Sequence, residues 1–360
     1  MNITAADLKK SLKAVSAVRT ETFIIGDHGV FAGDSDVQVY ASCPLSGLGT
    51  FSIQGRTFAQ VINRMTGQIE LDKQEKSLTL KSAKAKIDLP IMNVKPLKIP
   101  EPPAGFISVP AKPFKKAMSF AAASADTKKS ANYGGVVQVR SLDLGIEDTS
   151  PQGYRIIGAE EMSLTAVTEP QPVSEFKFSL NLPAANLVQI MDGTIEFADA
   201  EKFIWFRSEG LTVLASKRDE SRPEYRYPEN YANLFAVKPK LRFQFNPEEW
   251  LNALKTIEPL IEDVDEGGVA LHLENSVLVL SNRSNTATDE AGYEQVDPDP
   301  IFEPVKVSGL TLNAKHLSAF LSKASNPAYI NLTEKRGAVK LESGNIMTLV
   351  MPLANKKESK

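Results

Sequence analysis

The sequence predicts an α+β protein of three similar domains, each with two helices packed on antiparallel sheets. Three observations carry this expectation. A unit of short alternating strand, punctuation and amphipathic helix recurs six times along the 360 residues. Breaks in composition divide the chain into three segments that hold two units each. Between units the sequence reads as short alternating runs separated by turn residues.

The units fall in order. The first runs NIT then AADLKKSLKAV from Asn2, and the second TFSIQ then GRTFAQVINRM from Thr50. The third is ISV then PAKPFKKAMSFA from Ile107, and the fourth KFSLNL then PAANLVQIM from Lys177. RFQFN followed by PEEWLNALKTI starts at Arg242, and LTLN followed by AKHLSAFLSKA at Leu310. Alternation such as Phe243-Gln244-Phe245 buries one face of a strand. Pro183 and Pro247 suit the first turn of a helix, where a missing N–H costs nothing, and Asn246 suits an N-cap. Within the helices apolar residues recur at three and four: Leu8, Leu12, Val15; Phe58, Ile62, Met65; Trp250, Leu254, Ile257; Leu317, Phe320, Leu321. Each is therefore expected to lie with one face on a sheet.

Residues 69–91 and 269–283 read as strands with hairpin turns near Glu75-Lys76 and Asn275. The proline-dense stretch VKPLKIPEPPAG (94–105) reads as an extended linker, and a second break falls near 235–240. The expected domains are 1–104, 105–237 and 238–360.

Composition narrows the chemistry. The chain is 42% hydrophobic and 24% charged, as folded proteins are. One cysteine, Cys43, excludes an internal disulfide framework and a cysteine-based zinc site, which fits a reducing cytoplasm. The histidines, His28, His272 and His316, are not at metal-ligand spacing, so no metal or cofactor is expected. The polar start MNITAADLKK does not read as a secretory signal, and no apolar run approaches the ~20 residues of a membrane span.

With 41 Lys plus Arg against 44 Asp plus Glu, the net charge is −3, which at first argues against a nucleic-acid partner. Its distribution argues otherwise. The six helical segments sum to +6, leaving −9 elsewhere. Lys9, Lys10, Lys13, Arg56, Arg64, Lys112, Lys116 and Lys315 are the cations that make helices a basic lining. No aromatic or base-reading cluster accompanies them, so contact is expected with phosphates and independent of sequence.

Four stretches carry a resemblance: LKKSLKAVSAVR (8–19), YGGVVQV (133–139), SKRDESRPEYRYP (216–228) and TLVMPL (348–353). Together they resemble the bacterial DNA polymerase III β subunit, the sliding clamp, over essentially the whole chain, in a divergent form such as a phage-borne or accessory copy. The resemblance implies the DNA clamp fold, three two-helix domains per subunit, and two subunits closing a homodimeric ring. It implies a cytoplasmic, non-catalytic processivity factor that encircles duplex DNA and tethers polymerase and clamp loader through short linear peptides. Family DNA contacts carry over to Arg19 and to the loop with Lys128 and Lys129. The peptide pocket carries over to Tyr133, Ala159, Met162, Leu164, Pro223, Tyr227, Leu349, Met351 and Leu353. The ring interface maps to Ile87 and Leu89 on one side, and Leu260 and Ile261 on the other. The chain departs from the family at Glu160-Glu161-Met162-Ser163, where Asp-Gly-His-Arg is usual, so the pocket rim loses basic character. The tail ANKKESK (354–360) lies past the usual family end.

Two other classes compete. An enzyme would draw on Glu160-Glu161 and the acidic loop 289–299, yet adjacent strand residues point to opposite faces and cannot share one site. A peptide-binding scaffold without DNA is the alternative; the segregated helix charge argues against it.

Overall fold

The structure is a computed structural model of the 360-residue chain. It describes all residues except 19, 94–99, 126–135, 142–152, 161–162, 171–173, 219–234, 236–238, 240, 261–267, 275–276, 283–284, 290–292, 296–309, 333–336 and 354–360. Expectations that fall on Asn275 and on residues 94–99, the first half of the linker 94–105, lie outside the described residues.

All six expected helices form: α1 (Ala5–Val15), α2 (Gly55–Arg64), α3 (Ala111–Ala123), α4 (Leu182–Val188), α5 (Pro247–Ile257) and α6 (Ala314–Leu321). Each follows directly on a short strand, so the end of the strand doubles as the start of the helix. Four of these junctions are capped by a side-chain oxygen. Thr4 accepts from the Asp7 amide (3.1 Å), Asn181 from Ala184 (2.8 Å), Asn246 from Glu248 (3.1 Å) and Asn313 from Lys315 (2.9 Å). The junction before α2 has no such bond; there Gly55 lets the backbone pass the Phe23 ring, which would lie 2.6 Å from an added Cβ. The apolar stripes behave as their spacing predicts: all twelve residues named for the four helices are buried.

The fourth helix is shorter than expected. It stops at Val188, so Asp192 stands beyond it.

The chain packs as two compact units, residues 1–116 with 178–218, and residues 117–177 with 219–360; the partition falls within α3. In the first unit an antiparallel sheet runs Asn2–Thr4, Gln68–Lys73, Ser77–Ser82, Ala85–Met92, Phe51–Gln54, Thr22–Gly26, Gly29–Gly33, Val37–Ser42, Leu211–Ser216, Phe203–Ser208, Thr194–Asp199, Ile107–Pro110. The expected turn at Glu75-Lys76 joins two of these strands, with Leu71 opposite Leu80. Val39 stands opposite Val213, so this sheet continues across the expected border between the first two domains. Phe114, Phe178, Phe197 and Phe206 fill the space beneath it, with ring centroids 5.4–6.1 Å apart.

In the second unit the strands run Val136–Ser141, Tyr154–Glu160, Ser163–Glu169, Ile346–Val350, Val339–Ser343, Ala328–Leu332, Leu241–Phe245, Tyr293–Gln295. Leu164 opposite Leu349 again carries the sheet across an expected border. A second sheet of this unit orders Asn285–Asp289, Val277–Asn282, Gly268–Glu274 and Leu310–Asn313. One face of the larger sheet is dry: Phe243, Ile330, Leu341 and Val350 are fully buried. The C-terminal half of α3 comes so close to it that an added Cβ on Gly158 would meet the Ala121 carbonyl oxygen at 1.7 Å. No described helix is long and apolar enough to cross a membrane.

Candidate functional site

The helices that bury one stripe in the sheets turn their cations outward. Lys10 and Lys13 on α1, Arg56 and Arg64 on α2, Lys112 and Lys116 on α3, and Lys315 on α6 are exposed; Lys9 is half-buried. Arg19, Lys128 and Lys129 lie outside the described residues.

Two features of this cation set escape the sequence. Lys115 is half-buried and its Nζ lies 2.7 Å from Asp192 Oδ1. The hydrogen bond from Lys115 and its charge hold the Asp192 carboxyl below the usual carboxylate range, and Lys13 and Lys10 add to the effect. Asp192 is thus the counter-charge of a lysine cluster fed by α1 and α3. Lys10, Lys13 and Asp192 share a cleft of about 510 Å³ with Ser42, Ser208 and Glu209. The second feature is Lys323, just past α6. It donates to Ser119 Oγ (2.9 Å) and lies 5.3 Å from the Phe120 ring centre, and burial lowers its pKa. It is a packing lysine rather than part of an exposed lining.

The expected pocket residues Ala159, Leu164 and Leu349 come together. They sit side by side on three adjacent strands and pack with Ile157, Ala166 and Phe235 in one buried cluster, with Met347 against it. Met351 follows on the chain and is 42% exposed, the one large apolar side chain so open among the described residues. Leu353 turns away: its amide donates to the Thr311 carbonyl (2.8 Å), and its Cδ1 lies 3.2 Å from where a Cβ on Gly268 would stand. Tyr133, Met162, Pro223 and Tyr227 lie outside the described residues.

At the rim the sequence reading saw only a lost basic stretch. The structure adds that His316 Nε2, at the start of α6, bonds the Glu160 carboxylate. Burial, and then the charge of Lys315, push the His316 pKa down to about 4. The ring is therefore neutral at pH 7, and a neutral imidazole donating from Nε2 matches the carboxylate. A buried histidine on an otherwise apolar helix face was the available signal; nothing local named its partner, 156 positions away in sequence.

Of the expected interface residues, Ile87 is half-buried and Leu89 buried, on the strand Ala85–Met92. Leu260 closes a 3₁₀ turn, Glu258–Leu260, and its side chain and Ile261 lie outside the described residues. Among the described residues no three His, Cys, Asp or Glu side chains gather as metal ligands.

No protein-family model and no curated relative matches the sequence. Solved structures do match its fold. The DNA polymerase III β subunit of Thermotoga maritima aligns with TM-score 0.77 at 16% identity, covering 98% of this chain and 99% of that one. The DNA polymerase III β chain of Streptococcus pneumoniae aligns at 0.79 and 14%, with the same coverage. The sliding clamp of Pseudomonas aeruginosa bound to griselimycin aligns at 0.79 and 12%, covering 99% of each chain. Likeness at such low identity, sustained from one end of the chain to the other, is a statement about architecture: this chain has the sliding-clamp fold of the DNA polymerase III β subunits.

Proposed function

We propose that the chain is a DNA sliding clamp: a ring around duplex DNA that tethers a polymerase and other partners and performs no catalysis itself. The observation that carries the reading is the joint one of a clamp fold over the full length and cations segregated onto the exposed faces of its helices. A protein held on DNA by topology needs only weak, sequence-independent attraction to phosphate, and tight or base-specific contacts would stop it sliding. Lysine and arginine tips on helices, without a base-reading cluster, supply attraction of that kind.

In this reading the subunit has three domains, 1–104, 105–237 and 238–360, and two subunits close the ring in a cytoplasmic protein. Phosphate contacts fall to Lys9, Lys10, Lys13, Arg19, Arg56, Arg64, Lys112, Lys116, Lys128, Lys129 and Lys315. Head-to-tail contact joins the strand with Ile87 and Leu89 to the turn with Leu260 and Ile261; unlike surfaces of this sort close a ring when the rotation permits. Partners dock by short linear peptides over the apolar cluster of Ala159, Leu164 and Leu349.

Retention after loading on closed circular and on linear duplex DNA tests the reading. Persistence on circles with loss from free linear ends is the expected result; equal release from both refutes a topological link.

A further inference from the structure

The helices of the two units differ in the charge they show to solvent. In the first unit α1 packs beside α2, and Lys10, Lys13, Arg56 and Arg64 are exposed on them, with Lys9 half-buried. The same surface continues onto the N-terminal half of α3, which belongs to this unit up to Lys116. Lys10 and Lys13 act on the Asp192 carboxylate that Lys115 of α3 holds. Lys112 and Lys116 are exposed on the same face of that helix, three and four positions apart in the set Lys112, Lys115, Lys116. Apart from Lys115, none of these cations forms an ion pair among the described residues.

The acids beside this band are fewer. Asp192 is matched by Lys115, and Asp7 and Glu209 line the cleft with Lys10 and Lys13. Glu21 adjoins the start of α2, its carbonyl accepting from the Gly55 amide at 2.8 Å. Set against Asp7, Glu21 and Glu209, the cations Lys9, Lys10, Lys13, Arg56, Arg64, Lys112 and Lys116 leave a surplus of four positive charges. The second unit shows the opposite balance. From Ala117 to Ala123 the rest of α3 carries no charge. The paired helices α5 and α6 present Lys255 and Lys315 against Glu248, Glu249 and Glu258, and Glu160 bonds His316 on α6. Lys323 turns its ammonium onto Ser119, and even with it three cations meet four acids. At physiological salt a charge acts over roughly 8 Å, so a phosphate responds to the helices it lies against rather than to the sum over the chain.

We propose that the helical part of the phosphate contact is one-sided: duplex DNA rides on the band of α1, α2 and the N-terminal half of α3, while α5 and α6 give no net attraction. The proposal rests on the clamp reading and specifies which of its helices hold the duplex. Lys315 is then a single cation in an acidic neighbourhood. The local surplus on the first unit is what lets a chain of net charge −3 attract phosphate.

The test reads binding of the full-length protein to a short labelled duplex by fluorescence anisotropy against salt concentration. Lys10→Gln with Arg64→Gln neutralises α1 and α2, Lys112→Gln with Lys116→Gln neutralises α3, and Lys255→Gln with Lys315→Gln neutralises α5 and α6. Each of the first two pairs is expected to lower the log–log salt slope by about two, and the third by less than about one. A third pair that lowers it by about one or more overturns the proposal. So does either of the first two pairs lowering it by less than that, or a wild type that does not bind at low salt. All six side chains are exposed, so the variants should melt with the wild type. Where a pair melts lower, its single substitutions are read instead, with about one unit of slope expected per contacting cation. Retention on closed circles against linear duplex reads the clamp separately: equal release of the wild type from both overturns that reading, whatever the slopes.

Discussion

Lys115 on α3 holds Asp192 at 2.7 Å, and the α1 residues Lys10 and Lys13 bear on the same carboxylate. One acid is thus paired with Lys115 and lies near two further lysines on the surface proposed to meet DNA. Replacing it with asparagine leaves the shape unchanged, frees Lys115 from its ion pair and removes a negative charge near Lys10 and Lys13. Asp192→Asn is predicted to bind duplex DNA more tightly at low salt, with a log–log salt slope steeper by about one, the contribution of one further phosphate contact. Fluorescence anisotropy against salt concentration reads both quantities. An unchanged slope would show that the cluster does not meet phosphate.

The proposed ring contact gives a second expectation. If Leu260 and Ile261 form one half of a head-to-tail interface, the double change Leu260→Ala, Ile261→Ala should convert the dimer to monomers. Light scattering at micromolar concentration decides it: a mass that does not fall to that of one 39.3 kDa chain sinks the assignment.

How much of this was legible in the sequence depends on how local the signal is. The helix stripes were, because a helix lying on a sheet must repeat its apolar residues at three and four, as Leu8, Leu12 and Val15 do. So was the Asn246 cap, announced by the proline after it. Asn181 and Asn313 do the same work with weaker flanking signals, and neither was recognised. Pairings such as Val39 with Val213 leave no local trace, since any two alternating strands could be neighbours; continuity of the sheets therefore had to come from the structure. The same holds at the sites. Exposed lysines can be counted on a helix, but that Asp192 sits among them depends on where α4 stops. The apolar cluster came through as single residues.

The His316–Glu160 contact carries a pH dependence whose sign can be worked out. His316 has a folded pKa of about 4, below its value of 6.5 when unfolded. Between those values the unfolded chain binds the extra proton, so stability rises with pH across this window and is lost as pH falls through it. The loss by pH 4.5 is about 2–3 kcal/mol at about 1.4 kcal/mol per unit. His316→Gln cannot take up that proton but still donates to Glu160, so titration of the carboxylate is common to both proteins. Urea unfolding of wild type and variant at pH 7 and pH 4.5 should show the wild type losing more. Parallel losses would mean that the imidazole is not kept neutral by its surroundings.

Two glycines of the second unit make contrasting demands on the backbone. Gly158 has ordinary extended geometry, yet a Cβ there would stand 1.7 Å from the Ala121 carbonyl oxygen and 2.5 Å from its carbon. Both obstacles are α3 backbone, so the helix must move away from the sheet. It carries the fully buried Ala117, Met118 and Ala121 with it. Gly344 has φ +57° and nothing within 4 Å of an added Cβ, so alanine there meets only the left-handed penalty. Gly158→Ala is therefore predicted to destabilise by about 3 kcal/mol or to prevent folding, and Gly344→Ala by about 1 kcal/mol. Thermal melts rank the two. The order should reverse if α3 can shift freely, because the Gly158 penalty is steric and relaxes with the helix, whereas the Gly344 penalty belongs to its own dihedral angle.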